Sequence, residues 1–257
     1  MATLKIRCTN TQVKGSVKVS TEPNIVTFHI YNRGSIEKHI PKKITQGYEN
    51  KYRYVYHIGN KEYEICILEW FSTTKMAPGN TPIQNETIDL IDIRNFRGYK
   101  SVYLNIRFRT INSPSGRYYI APVCLASLIG AMGVLNIDDL GFNGFSDKLG
   151  RSVGGSKSHL NGVCGDLRYL SIKKDGGPTL LGDAHFDYER QMKFCEALFS
   201  FGWAADGKRK MLSERFSLNK ETVLLPHCTH YARGSVRHHH HLHLQGFNPS
   251  ICKNVTK

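Results

Sequence analysis

Over the first hundred or so residues, apolar positions recur either with period two or in short β-branched and aromatic runs. They fall at Ile25–Tyr31 (IVTFHIY), Tyr52–Ile58 (YRYVYHI), Tyr63–Trp70 (YEICILEW) and Val102–Ile111 (VYLNIRFRTI). Alternation of this kind places every second side chain on one face of an extended chain, so each run predicts a strand. Turn-forming residues separate them. The stretch Lys75–Asn85 (KMAPGNTPIQN) concentrates Pro, Gly and Asn and predicts a linker or long loop, and Asn112–Gly116 (NSPSG) predicts a second break.

Beyond that break the texture changes. Ala121–Leu135 reads as a helix, and its apolar part, Val123–Leu135 (VCLASLIGAMGVL), is the longest such run in the chain. It falls well short of the ~20 residues that a membrane-spanning helix needs, and so predicts a buried core helix. A Gly- and Ser-rich loop follows over Gly141–Ser158. Asp187–Phe201 (DYERQMKFCEALFSF) predicts a second helix with Asp187 as N-cap and Gly202 as its stop. Strands are expected at Asp166–Ile172 and near His238–Leu244. No internal repeat is present, and the histidine run is the only low-complexity tract. The expected fold class is α+β, with a β-rich N-terminal domain over 1–110 and an α+β domain over 111–257.

Composition adds a charge and removes several classes. The 257 residues are 40% hydrophobic and 22% charged, the profile of a soluble globular chain, which excludes disordered and fibrous proteins. A net charge of +14, spread through both halves, predicts an anionic partner: nucleic acid, an acidic membrane surface or an anionic wall polymer. No basic stripe or aromatic-basic motif accompanies it, so specific nucleic-acid binding is not expected. The seven cysteines are scattered and never form a C-x-x-C pair, which argues against a disulfide framework or a four-cysteine metal site. The opening MATLKIRCTN has no secretory signature. The expectation is synthesis in the cytoplasm, with any export by a route that reads no such signal.

Most of the twelve histidines lie beyond residue 180, and His159 opens a compact motif, Ser156-Lys157-Ser158-His159-Leu160-Asn161-Gly162-Val163-Cys164-Gly165-Asp166. A His and an Asp separated by a glycine-containing turn can converge on one metal ion, and imidazole nitrogen with carboxylate oxygen suits Zn²⁺. The competing reading is a loop histidine and a strand-capping aspartate. Downstream stands His238-His239-His240-His241-Leu242-His243. On a strand His241 and His243 share a face, whereas His238 reaches the same place only if the chain bends before the strand begins. An affinity-tag remnant is disfavoured by the internal position and by Leu242. His227-Cys228-Thr229-His230 offers alternative ligands or ordinary surface and core residues. Cys164 reads as a small buried residue rather than a nucleophile.

Together, His159-x-x-Gly162-x-x-x-Asp166 and His238-x-x-His241-x-His243 resemble the lysostaphin, D-Ala-D-Ala metallopeptidase and hedgehog superfamily, and within it the penicillin-insensitive murein endopeptidases. Phe186-Asp187-x-x-Arg190-Gln191, with the helix through Glu196-Ala197-Leu198, is similar to that family's helix before its last strand. The resemblance covers roughly residues 115–250 and nothing in 1–110. It implies a zinc metallopeptidase domain with a central antiparallel sheet flanked by helices, in which His159, Asp166 and His243 bind one Zn²⁺. His241 is then a catalytic or orienting histidine, and His238 lines the same cleft. Three protein ligands leave a fourth position for water, as in catalytic rather than structural zinc. Either His241 or His238 can serve as base and acid; no E-x-x-H precedes His243. Arg151 stands where related enzymes carry an arginine, and would stabilise an oxyanion or hold a peptide carboxylate, unless it is an exposed loop arginine.

The function so implied is peptidoglycan hydrolysis at an amide bond of the cross-linking peptides, with a D-alanyl bond expected. A wall substrate without a signal sequence suggests delivery into the periplasm or cell wall of a target cell, as an antibacterial type VI effector or a phage-type lysin. The N-terminal domain would then serve loading, targeting or wall binding. The partners expected are peptidoglycan, a cognate immunity protein and a secretion-machine component, without a transmembrane segment. The alternatives are a non-enzymatic zinc-containing binding protein on the same fold and a basic metal-dependent nuclease.

Overall fold

The computed structural model describes residues 22–256. The N-terminal stretch on which the export expectation rests, and Cys8, lie outside the described residues. The period-two runs form long strands: β1 (Val26–Tyr31), β2 (Ser35–Ile40), β3 (Lys51–Ile58), β4 (Lys61–Ala77) and β5 (Thr81–Asp92). A short hairpin, β6 (Tyr99–Lys100) and β7 (Asn105–Ile106), precedes β8 (Phe108–Ile111), β9 (Tyr119–Ile120), helix α1 (Pro122–Leu135), β10 (Leu140–Gly144) and β11 (Gly165–Leu167). Helix α2 (Tyr188–Ser200) is followed by β12 (Met211–Ser213), β13 (Phe216–Leu218), β14 (Glu221–Val223), β15 (Cys228–His230), β16 (Leu242–Leu244) and β17 (Cys252–Thr256). The fold is mixed α+β and strand-rich, with two α-helices among the described residues. Neither is long and apolar enough to cross a membrane.

Two larger sheets organise the chain, in the orders β17-β2-β1-β3-β4-β5-β9 and β15-β12-β16-β11-β10-β8. In the first sheet, alternation buries Phe28 and Ile30 of β1 and Tyr52, Tyr54 and Tyr56 of β3. Helix α1 meets these residues: the Tyr54 hydroxyl donates to the Pro122 carbonyl at 3.2 Å, and Tyr56 packs against Gly133. Gly130 of the same helix lies against the ring of Phe201 at the end of α2. Because partners occupy both sides, 11 of the 14 residues of α1 are buried, and its apolar character runs all the way round. In the second sheet β10, β11, β16 and β12 are antiparallel neighbours, while β8 and β15 add parallel pairs at the two edges.

Several sequence expectations change. Lys75–Asn85 is no linker: β4 and β5 run through it as one hairpin. The Pro-Gly-Asn cluster sits at its tip, where Gly79 and Asn80 adopt φ of +80° and +61°. Val102–Ile111 is not one strand, because the Ser101 hydroxyl accepts from the amides of Tyr103 and Leu104 and folds the segment into a turn, leaving Val102 exposed. The strands expected at Asp166–Ile172 and His238–Leu244 shorten to β11 and β16. Both helices lie where expected, with the Asp187 carboxylate accepting from the Arg190 amide and Gly202 at φ +96°. The 110/111 division is crossed by the fold itself: β8 spans it, β9 edges the first sheet, and β17 returns to that sheet's far edge beside β2. One hydrophobic core runs through both regions.

Candidate metal centre

Strands β11 and β16 pair antiparallel with Asp166 opposite His243, so the ladder itself sets these two side chains face to face. On β16, Leu242 and Leu244 fill the core while His243 points the other way. His159 comes from the loop between β10 and β11. Its own amide donates to the Ser152 hydroxyl at 3.0 Å, and Gly162, three residues on, lies at φ +65°. A Cβ at Gly162 would stand 2.6 Å from the Ala121 nitrogen, so the glycine of the motif lets this loop approach the start of α1.

Three buried donors then meet. His159 Nε2 lies 3.2 Å from Asp166 Oδ1, His243 Nδ1 lies 2.8 Å from the same oxygen, and the two nitrogens are 3.1 Å apart. This His159–Asp166–His243 group can hold a metal ion. Burial by itself would raise the Asp166 carboxyl, but His159, His243 and His241 around it outweigh that and hold it well below the usual carboxylate range. Burial pushes the His159 imidazole down against the pull of Asp166. An ionised carboxylate beside a neutral imidazole is the protonation state that ligation needs. His243 Nδ1 faces the accepting Asp166 carboxylate and donates to it; with the ring proton on Nε2 instead, the Ser158 hydroxyl 3.3 Å away can accept that hydrogen bond and Nδ1 is free to ligate.

His241 and His238 also arrive here, though neither lies on β16. A bend at residues 239–240 brings His241 Nε2 to 3.5 Å from Asp166 Oδ1 and sets the His238 ring 4.9 Å from that of His241 and 5.8 Å from that of His243. Burial pushes His241 down to about 3 and also lowers His238. Glu214 fixes this bend. Its carboxylate accepts from the His238 amide at 2.6 Å and from Arg237 at 2.9 and 2.6 Å, while the Tyr169 hydroxyl donates to the His238 carbonyl at 2.6 Å.

The Arg237 pairing, together with the His238 amide, holds Glu214 at about 2, against 4.5 when unconstrained. Its stabilising contribution is therefore complete above about pH 4.5 and lost as the pH falls towards 2. Glu214→Gln is expected to be less stable than wild type by on the order of 2 kcal/mol at pH 7, with the gap closing between pH 4.5 and 2. Urea titrations of both proteins across that range check this; a gap independent of pH would remove the charge from the explanation.

Arg151 is not brought to the group. A local pair holds its guanidinium on Asp147, with Nη2 at 2.7 Å and Nε at 2.8 Å, and leaves it half exposed. Arg117 stands there instead, with Nη1 2.5 Å from His159 Nδ1 and 3.5 Å from Asp166 Oδ2. Sequence reasoning missed it; the only cue was its place directly after the NSPSG turn, whose Ser115 hydroxyl accepts from Arg117 Nε. His227 and His230 lie elsewhere, one paired with Glu196 and stacked on Phe199, the other accepting from the Arg215 amide. Cys164 is buried, and burial raises its thiol to about 11. Comparison with protein-family models, curated proteins and solved structures finds no match to this chain.

Proposed function

We propose that this protein is a zinc-dependent peptidoglycan hydrolase, a murein endopeptidase that cleaves a D-alanyl amide bond in the cross-linking peptides. The convergence of His159, Asp166 and His243, with His241 and His238 beside them, carries this reading. Two imidazole nitrogens and one carboxylate oxygen form a donor set suited to zinc. Their mutual distances of 2.8–3.2 Å are a few tenths below the ~3.3 Å that ~2.0–2.1 Å bonds impose on neighbouring tetrahedral ligands, so a small opening admits the ion. Ligation through His159 Nε2 requires the ring proton on Nδ1, so Arg117, which now donates to Nδ1, must turn towards Asp166 Oδ2.

Zinc bound there supplies the Lewis acidity that activates water and polarises an amide carbonyl. The chain's own residues supply the rest. Asp166 and the ladder beneath it fix the geometry of the ligands. His238 directs its Nδ1–H to the Tyr231 carbonyl at 3.1 Å, which leaves Nε2 as the lone pair able to take a proton from the nucleophile and return it to the leaving amine. His241, the weaker base, orients. Arg117 carries the positive charge that the resemblance assigned to Arg151.

The net charge of +14 suits an anionic wall. With the resemblance it supports action in the periplasm or wall of a target cell, as a type VI antibacterial effector with an immunity protein and a secretion-machine partner, or as a phage-type lysin. Digestion of purified peptidoglycan with and without a chelator, with zinc restoration and mass analysis of the muropeptides, tests this. The expected result is chelator-sensitive loss of cross-linked dimers; dimers that survive incubation with zinc-loaded protein overturn it in favour of a binding role.

A further inference from the structure

We infer that the β4–β5 hairpin of the first sheet is part of the support of the metal centre, and that Asn80 at its tip is a positioning residue for His159. The inference rests on reading His159, Asp166 and His243 as a zinc site. Asp166 and His243 are held by a strand ladder, but His159 comes from a segment without one, so its place depends on what ties that segment down.

Two asparagines do this, in opposite directions. From the hairpin, Asn80 Oδ1 accepts from the Ser152 amide at 2.8 Å and Asn80 Nδ2 donates to the Ser152 carbonyl at 2.9 Å. One side chain thus takes both backbone groups of a residue, as a neighbouring strand would. From the loop, Asn161 Oδ1 accepts from the Met76 amide and Asn161 Nδ2 donates to the Met76 carbonyl, both at 2.8 Å. Ser152 in turn receives the His159 amide on its hydroxyl at 3.0 Å, and Asn161 follows His159 by two residues. The ligand is bracketed by two residues that are both clamped to the hairpin, and the chain Asn80–Ser152–His159 links the first sheet to the donor set.

Glycine is the informative substitution at Asn80, because φ there is +61° and glycine keeps that backbone without strain while removing both hydrogen bonds. Asn85, at φ +63° and exposed in the same hairpin, has none of these contacts, so Asn85→Gly controls for the glycine itself. In the 257-residue chain, Asn80→Gly is expected to weaken zinc affinity by roughly tenfold, the lower end of what losing an outer partner of a ligand does. It is also expected to speed hydrogen exchange at the His159 amide, with Tm within a few degrees of wild type. Asn80→Asp keeps the acceptor for the Ser152 amide and should fall between. Ser152→Ala leaves the hairpin intact and should reproduce both effects, which guards against a folding defect in Asn80→Gly. Zinc competition with a chromophoric chelator and exchange mass spectrometry read these outcomes. Wild-type affinity and wild-type His159 exchange in Asn80→Gly overturn the inference, whatever Ser152→Ala does. If the wild-type chain binds no zinc, the metal reading fails separately. The exchange measurement then still decides the clamp: faster exchange sustains it and unchanged exchange ends it.

Discussion

If the proposed zinc site is right, His243→Ala is expected to lose zinc and activity together. His243 is fixed by its ladder partner and faces Asp166 at 2.8 Å and His159 at 3.1 Å, so alanine removes one of three donors and leaves no replacement at that position. Affinity should fall by more than the ~100-fold that bounds the loss of an outer partner. The fold should survive, because Leu242 and Leu244 on either side carry the packing of β16. His241→Ala and His238→Ala are the contrast. Neither residue is in the donor set, so stoichiometric zinc should remain in both, while turnover falls by roughly 10²–10⁴-fold in His238→Ala, the usual worth of a positioned acid or base, and by less in His241→Ala. Metal analysis of the purified variants, paired with the muropeptide assay, separates the two classes. A His243→Ala protein with stoichiometric zinc and full activity would mean that the centre is elsewhere.

The parts of this site that sequence could supply were those encoded by spacing. A glycine three residues after His159 and an aspartate four after that describe a turn entering a strand, and the structure contains that turn, with Gly162 against Ala121. The parity of the histidine run demands a bend to bring His238 beside His241, and residues 239–240 supply it. What spacing does not encode is which of several chemically equal side chains a loop will turn inwards. Arg151 looked suitable, but an acid four residues earlier captures it; Arg117, in no motif, is delivered because a turn rich in serine accepts its backbone and Nε.

The same limit applies to the fold. The period-two runs and both helices were legible because they are local. The Pro-Gly-Asn content of Lys75–Asn85 signals a turn but not that the strands on either side continue through it and pair. The return of β17 to β2 joins residues more than two hundred apart in the chain, and no local pattern announces a parallel pair of that kind.

That return, with the two-sided burial of α1, sets the expected behaviour of the 111–257 segment expressed alone: it does not form a native domain and holds no zinc. Removing the first sheet strips Tyr54 and Tyr56 from α1, a helix with no polar face to offer to water, and takes β2 from β17 and β5 from β9. An apolar surface of that extent, newly exposed, favours association over a folded monomer. Strand β8 also breaks across the cut, and it edges the second sheet next to β10, with β10 and β11 between it and β16. Loss of the Asn80 contacts would release the His159 loop even if that sheet assembled. Near-ultraviolet circular dichroism, size-exclusion behaviour and zinc content of the 111–257 segment and of the 257-residue chain are the measurements. A monomeric, zinc-loaded 111–257 segment would show that the metal centre is an autonomous unit and that the first sheet serves something other than its support.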